Sequence, residues 1–100
     1  MNRRKVPVEL QEAYKAMYHA RYRCENTGCE RFRDYGARGI KFNFESPLEG
    51  AVHLGPRPHK GLSLDRINNN GHYEAGNVRW ATASEQQINS RYSAGYGWPT

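Results

Sequence analysis

Between residues 62 and 91 the chain reads LSLDRINNNGHYEAGNVRWATASEQQINSR. One carboxylate, Asp65, closes an apolar segment; a polar loop, a second apolar segment and then a run of side-chain amides follow it. That order can hold one hard divalent cation. The carboxylate gives a charged oxygen, an amide on the last segment gives a neutral one, and water and phosphate oxygens fill the remaining positions. Mg²⁺ binds in this incomplete way, and a cation so held polarises a phosphoryl group and stabilises its leaving oxygen. A second set of potential ligands is Cys24, Cys29, His53 and His59. Together they would make a Cys2His2 site for structural Zn²⁺. The chain lacks a paired CxxC, so two free thiols are the expected state.

These groups need ordered elements to position them. Residues 1–7 read as a basic arm ending at Pro7. From Val8 to about Arg23 no Gly or Pro interrupts, and Leu10, Ala13, Tyr14, Met17 and Tyr18 recur at helical spacing, which predicts an amphipathic helix. Tyr14, Tyr18 and Tyr22 step by four; such a stripe is expected to pack into the core rather than serve as a stacking platform for bases. Residues 24–34 are irregular and polar. Gly36 and Gly39 allow a tight turn, and Ile40, Phe42 and Phe44 alternate with polar residues as in a short strand. A short helix is expected from Pro47 to Leu54 after a Ser46 cap, ended by Gly55 and the prolines beyond it. Strands are expected around LSLDRI and NVRWA, joined by the turn-rich NNNGHYEAG. A last helix runs to about Arg91, with Thr82 and Glu85 spaced for a capping box. Residues 92–100 read as a loose tail. The expected class is α+β, a single domain over residues 8–91.

The 100 residues carry 15 Lys+Arg against 10 Asp+Glu, a formal charge of +5. Residues 1–41 hold ten of the cations and five of the anions, so the whole excess lies in the first two-fifths of the chain. A basic segment joined to a neutral one points to a polyanion partner, most often nucleic acid. Mean hydropathy is −0.98. No apolar run approaches the roughly 18 residues of a membrane span, and no signal-type stretch follows the basic N-terminus. The expectation is an intracellular protein with no membrane partner.

The segments Tyr35-Gly-Ala-Arg-Gly-Ile40, Ser63-Leu-Asp-Arg-Ile67, Asn70-Gly71, Gly76-Asn-Val-Arg-Trp-Ala-Thr82 and Glu85-Gln86 resemble the phage-type HNH endonucleases, over roughly residues 10–91. The resemblance implies a small ββα-metal (His-Me finger) core at about residues 62–91, with an added N-terminal helix. It implies that Asp65 is the acidic metal ligand and that Asn77, early in the second strand, pins the loop. Gln86 falls where related homing enzymes place their helix ligand, and Asn89, three residues on, shares its face; either could bind the metal. The implied cofactor is one Mg²⁺ or Mn²⁺ per site. Where relatives often carry Cys, this chain has Phe42 and Val78.

Family members usually carry His directly after the acidic ligand; here Arg66 stands there. Arginine is a very poor base, though it can hold a phosphate and stabilise transition-state charge. The base must then come from elsewhere. His72 in the loop is the first candidate, His59 the second, and a metal-bound hydroxide with no side-chain base the third. Arg3, Arg4, Lys5, Arg38, Lys41, Arg79 and Arg91 are the expected DNA contacts. The function expected is hydrolysis of DNA phosphodiester bonds to 5′-phosphate and 3′-hydroxyl ends, by a monomer or homodimer. A non-cleaving DNA-binding module with the same fold, and an RNA-directed domain, are the competing expectations.

Overall fold

The computed structural model describes residues 6–91. The expected arm contacts Arg3, Arg4 and Lys5 lie outside the described residues, as do the tail and the side chain of Arg91. Three α-helices and a two-stranded sheet make a small α+β domain: α1 (Gln11–Glu25), α2 (Pro47–Leu54), β1 (Ser63–Arg66), β2 (Val78–Ala81) and α3 (Ala83–Arg91). Single 3-10 turns at Val8–Leu10, Phe32–Asp34 and Gly36–Arg38 complete the elements among the described residues.

Helix α1 buries Ala13, Met17, Ala20 and Cys24. The tyrosine stripe is not its core face, contrary to the sequence reading: Tyr18 is 51% exposed and Tyr22 45%. The reason lies in α2, which packs so close that a Cβ added at Gly50 would stand 2.8 Å from Met17 Sδ. A contact this tight selects the narrow Ala and Met face and turns the bulky rings outward. Met17 is fully buried, in a cluster with Ala20, Cys24, Ile40, Phe42, Phe44 and Tyr73.

The caps of α2 and α3 follow their sequence signals. Ser46 Oγ accepts from the Glu49 amide at 3.1 Å, Pro47 takes the first turn, and Gly55 ends the helix with φ 82°. At α3, Thr82 and Glu85 cap each other: the Glu85 amide donates to Thr82 Oγ1 at 3.1 Å, and the Thr82 amide donates to Glu85 Oε1 at 2.7 Å. The expected strand at Ile40–Phe44 is reduced to an isolated parallel bridge between Phe42 and Tyr73. Two hydrogen bonds carry it, Tyr73 N to Lys41 O at 3.0 Å and Asn43 N to Tyr73 O at 2.8 Å. The alternation survives without the strand: Ile40, Phe42 and Phe44 are buried, and Lys41 and Asn43 are exposed.

Strands β1 and β2 pair antiparallel, Ser63 with Ala81, Leu64 with Trp80, Asp65 with Arg79 and Arg66 with Val78. The Trp80 indole donates to Gly55 O at 2.9 Å, which ties β2 to the end of α2. Among the described residues no helix is long and apolar enough to cross a membrane.

Candidate phosphate groove and metal site

Asn77 makes three of the hydrogen bonds that hold the 68–77 loop. Asn77 Oδ1 accepts from the Asn68 amide at 2.8 Å, and Nδ2 donates to His72 O at 2.8 Å and Asn68 O at 3.2 Å. Gly71 fits against this carboxamide because it has no side chain; a Cβ there would lie 2.9 Å from Asn77 Nδ2. Gly76, with φ 86°, makes the turn that places Asn77 directly before β2.

The loop borders a groove of about 580 Å³. Asp65, Arg66 and Gln86 line it, and Arg23, Arg31 and Arg38 bring further positive charge to its walls. Asp65 is mostly buried, and its contacts all fall on Oδ2: Arg79 Nε at 3.1 Å, Arg79 Nη2 at 3.0 Å and Asn89 Nδ2 at 3.4 Å. Asn89 is buried, and its Nδ2 also donates to Arg66 O at 2.7 Å. A strand carboxylate and a helix carboxamide therefore meet at the base of the ββα segment. Gln86 Nε2 donates to Ala81 O at 3.1 Å, which leaves Oε1 as the unused oxygen of that amide.

This donor set fits a hard cation that keeps most of its water. Among the described residues Asp65 Oδ1 carries no hydrogen bond, Gln86 offers an amide oxygen from the same groove, and both are oxygen ligands of the type Mg²⁺ and Mn²⁺ take. Asn89 instead turns its NH₂ group toward Asp65. Of the two helix amides, Gln86 lines the groove and Asn89 does not. Among the described residues no three His, Cys, Asp or Glu side chains converge. Cys24 and Cys29 are free thiols, with burial pushing Cys24 up to about 11, and His53 packs its ring against Phe44 at 5.3 Å.

Arg66 is 4% exposed. Nη1 donates to Gly71 O at 2.9 Å, Nη2 to Asn69 Oδ1 at 2.8 Å, and the guanidinium lies 5.3 Å from the Tyr35 ring centre and 5.2 Å from that of Tyr73. These contacts brace the loop and commit two of the donors that phosphate recognition would use. His72 accepts the Lys41 amide on Nδ1 at 3.0 Å, and it does not line the groove. A neutral imidazole that accepts on Nδ1 carries its proton on Nε2, so neither nitrogen has an unused lone pair in this arrangement. His59 donates Nδ1–H to Lys60 O at 2.8 Å, which leaves Nε2 as an acceptor, but it too lies outside the groove lining. Arg38 donates to Asp34 O at 3.2 Å and Asn70 Oδ1 at 2.9 Å, and Lys41 is exposed.

Sequence reasoning passed over Arg23, Arg31 and Tyr35. The guanidinium carbons of Arg23 and Arg31 lie 4.8 and 5.3 Å from the centre of the Tyr35 ring, within cation–π range. Arg23 also donates to Tyr73 OH at 3.0 Å; burial, offset in part by the arginine charges, raises the Tyr73 phenol. The signal available was the density of Arg in RYRCENTGCERFRDY, although only the fold brings its members to one ring. Comparison with known proteins finds no matching family, no similar curated protein and no similar solved structure.

Proposed function

We propose that the protein is a small metal-dependent DNA endonuclease of the HNH type, with β1, β2 and α3 as its ββα-metal core. The observation that carries this reading is that the Asp65 carboxylate of β1 and the Gln86 carboxamide of α3 line one arginine-walled groove. A groove of this charge accepts a phosphate backbone. Arg23, Arg31 and Arg38 orient the strand, Asp65 and Gln86 offer the oxygens for the cation, and Asn77 keeps the loop closed around the site. A bound Mg²⁺ or Mn²⁺ supplies Lewis-acid polarisation of the scissile phosphate. No imidazole lines the groove, so in this arrangement no side-chain base stands ready to activate the attacking water.

A plasmid-nicking assay with Mg²⁺, Mn²⁺ and EDTA tests the reading. Metal-dependent nicking, lost in Asp65→Ala while DNA binding persists, is the expected outcome. Nicking by Asp65→Ala at the wild-type rate would place the chemistry elsewhere. A second reading, a DNA-binding module that does not cleave, is favoured by the absence of His from the groove lining and by the ion pair that Arg79 makes with Asp65. Salt-sensitive binding with no cut under any metal selects it.

A further inference from the structure

Asp65 and Arg79 are register partners on neighbouring strands, and two nitrogens of Arg79 converge on Asp65 Oδ2. Exposure is graded across the pair: the Asp65 side chain is 11% exposed and that of Arg79 is 36%. The cation therefore forms the outer face of an inner carboxylate. Of the arginines that line the groove, three are anchored to groups that a phosphate does not imitate: Arg66 to Gly71 O and Asn69, Arg38 to Asp34 O and Asn70, and Arg23 to the Tyr73 hydroxyl; Arg31 faces the Asp34 carboxylate only at 3.9 Å. Arg79 is held by a carboxylate, and phosphate presents a guanidinium with the same kind of acceptor. An alternative anion also stands nearby: Glu85 is held below the usual carboxylate range by its hydrogen bond with the Thr82 amide and, to a lesser degree, by the charge of Arg79.

While Arg79 is in place, the pair presents no net charge to an approaching cation. We propose that Arg79 is an exchangeable occupant of Asp65: it holds Oδ2 in the free protein and moves to a backbone phosphate when nucleic acid enters the groove, which restores the full charge and the second oxygen of Asp65 to a divalent cation. The inference rests on the metal-dependent reading above. Arg79 is in this account a positioning residue, acting through Asp65. One ion pair is replaced by two, Arg79 with phosphate and Asp65 with the cation, so polyanion and cation bind with positive coupling. Linkage makes the coupling reciprocal, and a factor of about ten lies within its usual range.

The test is Mn²⁺ binding to the full chain, followed by electron paramagnetic resonance of the free ion, with and without a short DNA duplex. The quantity read is the binding that Asp65→Asn removes, which excludes ions held by the DNA itself. Wild type is expected to bind about tenfold more tightly with duplex present. Arg79→Gln is expected to bind tightly without duplex, and Arg79→Lys to behave as wild type. Asp65-dependent binding of equal strength with and without duplex overturns the exchange and leaves the endonuclease reading standing. Absence of Asp65-dependent binding in every state overturns both. Tightening by duplex in wild type with no gain of duplex-free binding in Arg79→Gln overturns the exchange, because phosphate oxygens then account for the coupling; should Arg79→Gln fail to fold, Arg79→Met takes its place in the same titration.

Discussion

Asn77 offers a perturbation whose size can be worked from its contacts. Its carboxamide makes three hydrogen bonds, two at 2.8 Å and one at 3.2 Å. Each is worth about 0.5–1.5 kcal/mol net, and leaving a half-buried partner such as His72 O unsatisfied adds to the loss. Asn77→Ala is therefore expected to cost about 3 kcal/mol, a large part of the roughly 5–15 kcal/mol available to a domain. With a urea m-value of about 2 kcal/mol/M, the midpoint falls by about 1.5 M at unchanged slope. Asn77→Asp separates hydrogen bonding from volume. It keeps the acceptor for the Asn68 amide but sets a carboxylate oxygen against two carbonyls, so near pH 7 it is expected to be no more stable than Asn77→Ala. An Asn77→Asp protein within about 0.5 kcal/mol of wild type would refute the claim that donation to Asn68 O and His72 O closes the loop.

Other perturbations probe different parts of the molecule. Gly50→Ala drives a methyl toward Met17, whose Sδ and Cγ would lie 2.8 and 2.9 Å away, and is expected to lower stability by about 1–3 kcal/mol in the same urea titration. The Glu85 carboxyl sits below its ordinary range because it accepts the Thr82 amide in the cap of α3. Its contribution is thus present above the usual glutamate value of about 4.3 and fades as pH falls through the lowered one. Glu85→Gln should remove that part of the acid sensitivity, seen as a flatter midpoint-versus-pH curve below pH about 5. Burial pushes the Cys24 thiol up to about 11, whereas Cys29 is only half-buried. Alkylation at pH 8 should label Cys29 first and reach Cys24 only in denaturant, read by mass spectrometry; rapid labelling of Cys24 in the native state would contradict its burial.

How far the sequence could be read depended on whether a local signal sufficed. The Ser46 cap, the Thr82–Glu85 box, the glycine that ends α2 and the two short strands were all legible, because each is decided within a few residues. The outward turn of Tyr18 and Tyr22 was not: helical spacing says which residues share a face, but the tight approach of α2 at Gly50 decides which face goes inward. The site divided along the same line. That Asp65 and the α3 amides share one end of the ββα segment follows from element order, and Asn77 closing the loop was expected from its place in the motif. The pairing of Arg79 with Asp65, the commitment of His72 to the Lys41 amide and the gathering of Arg23, Arg31 and Arg66 around Tyr35 all depend on contacts between distant segments.

Three asparagines and a glycine in succession would ordinarily make a segment that frays by itself. Here Arg66 joins that segment to the aromatic cluster, holding Gly71 O and Asn69 with its nitrogens while its cationic plane rests on Tyr35 and Tyr73. Tyr73 belongs to the same cluster as Met17 and Phe42. The backbone amides of Asn68, Asn70 and Gly71, all hydrogen-bonded, should therefore exchange with deuterium in step with those of the interior, as one cooperative unit.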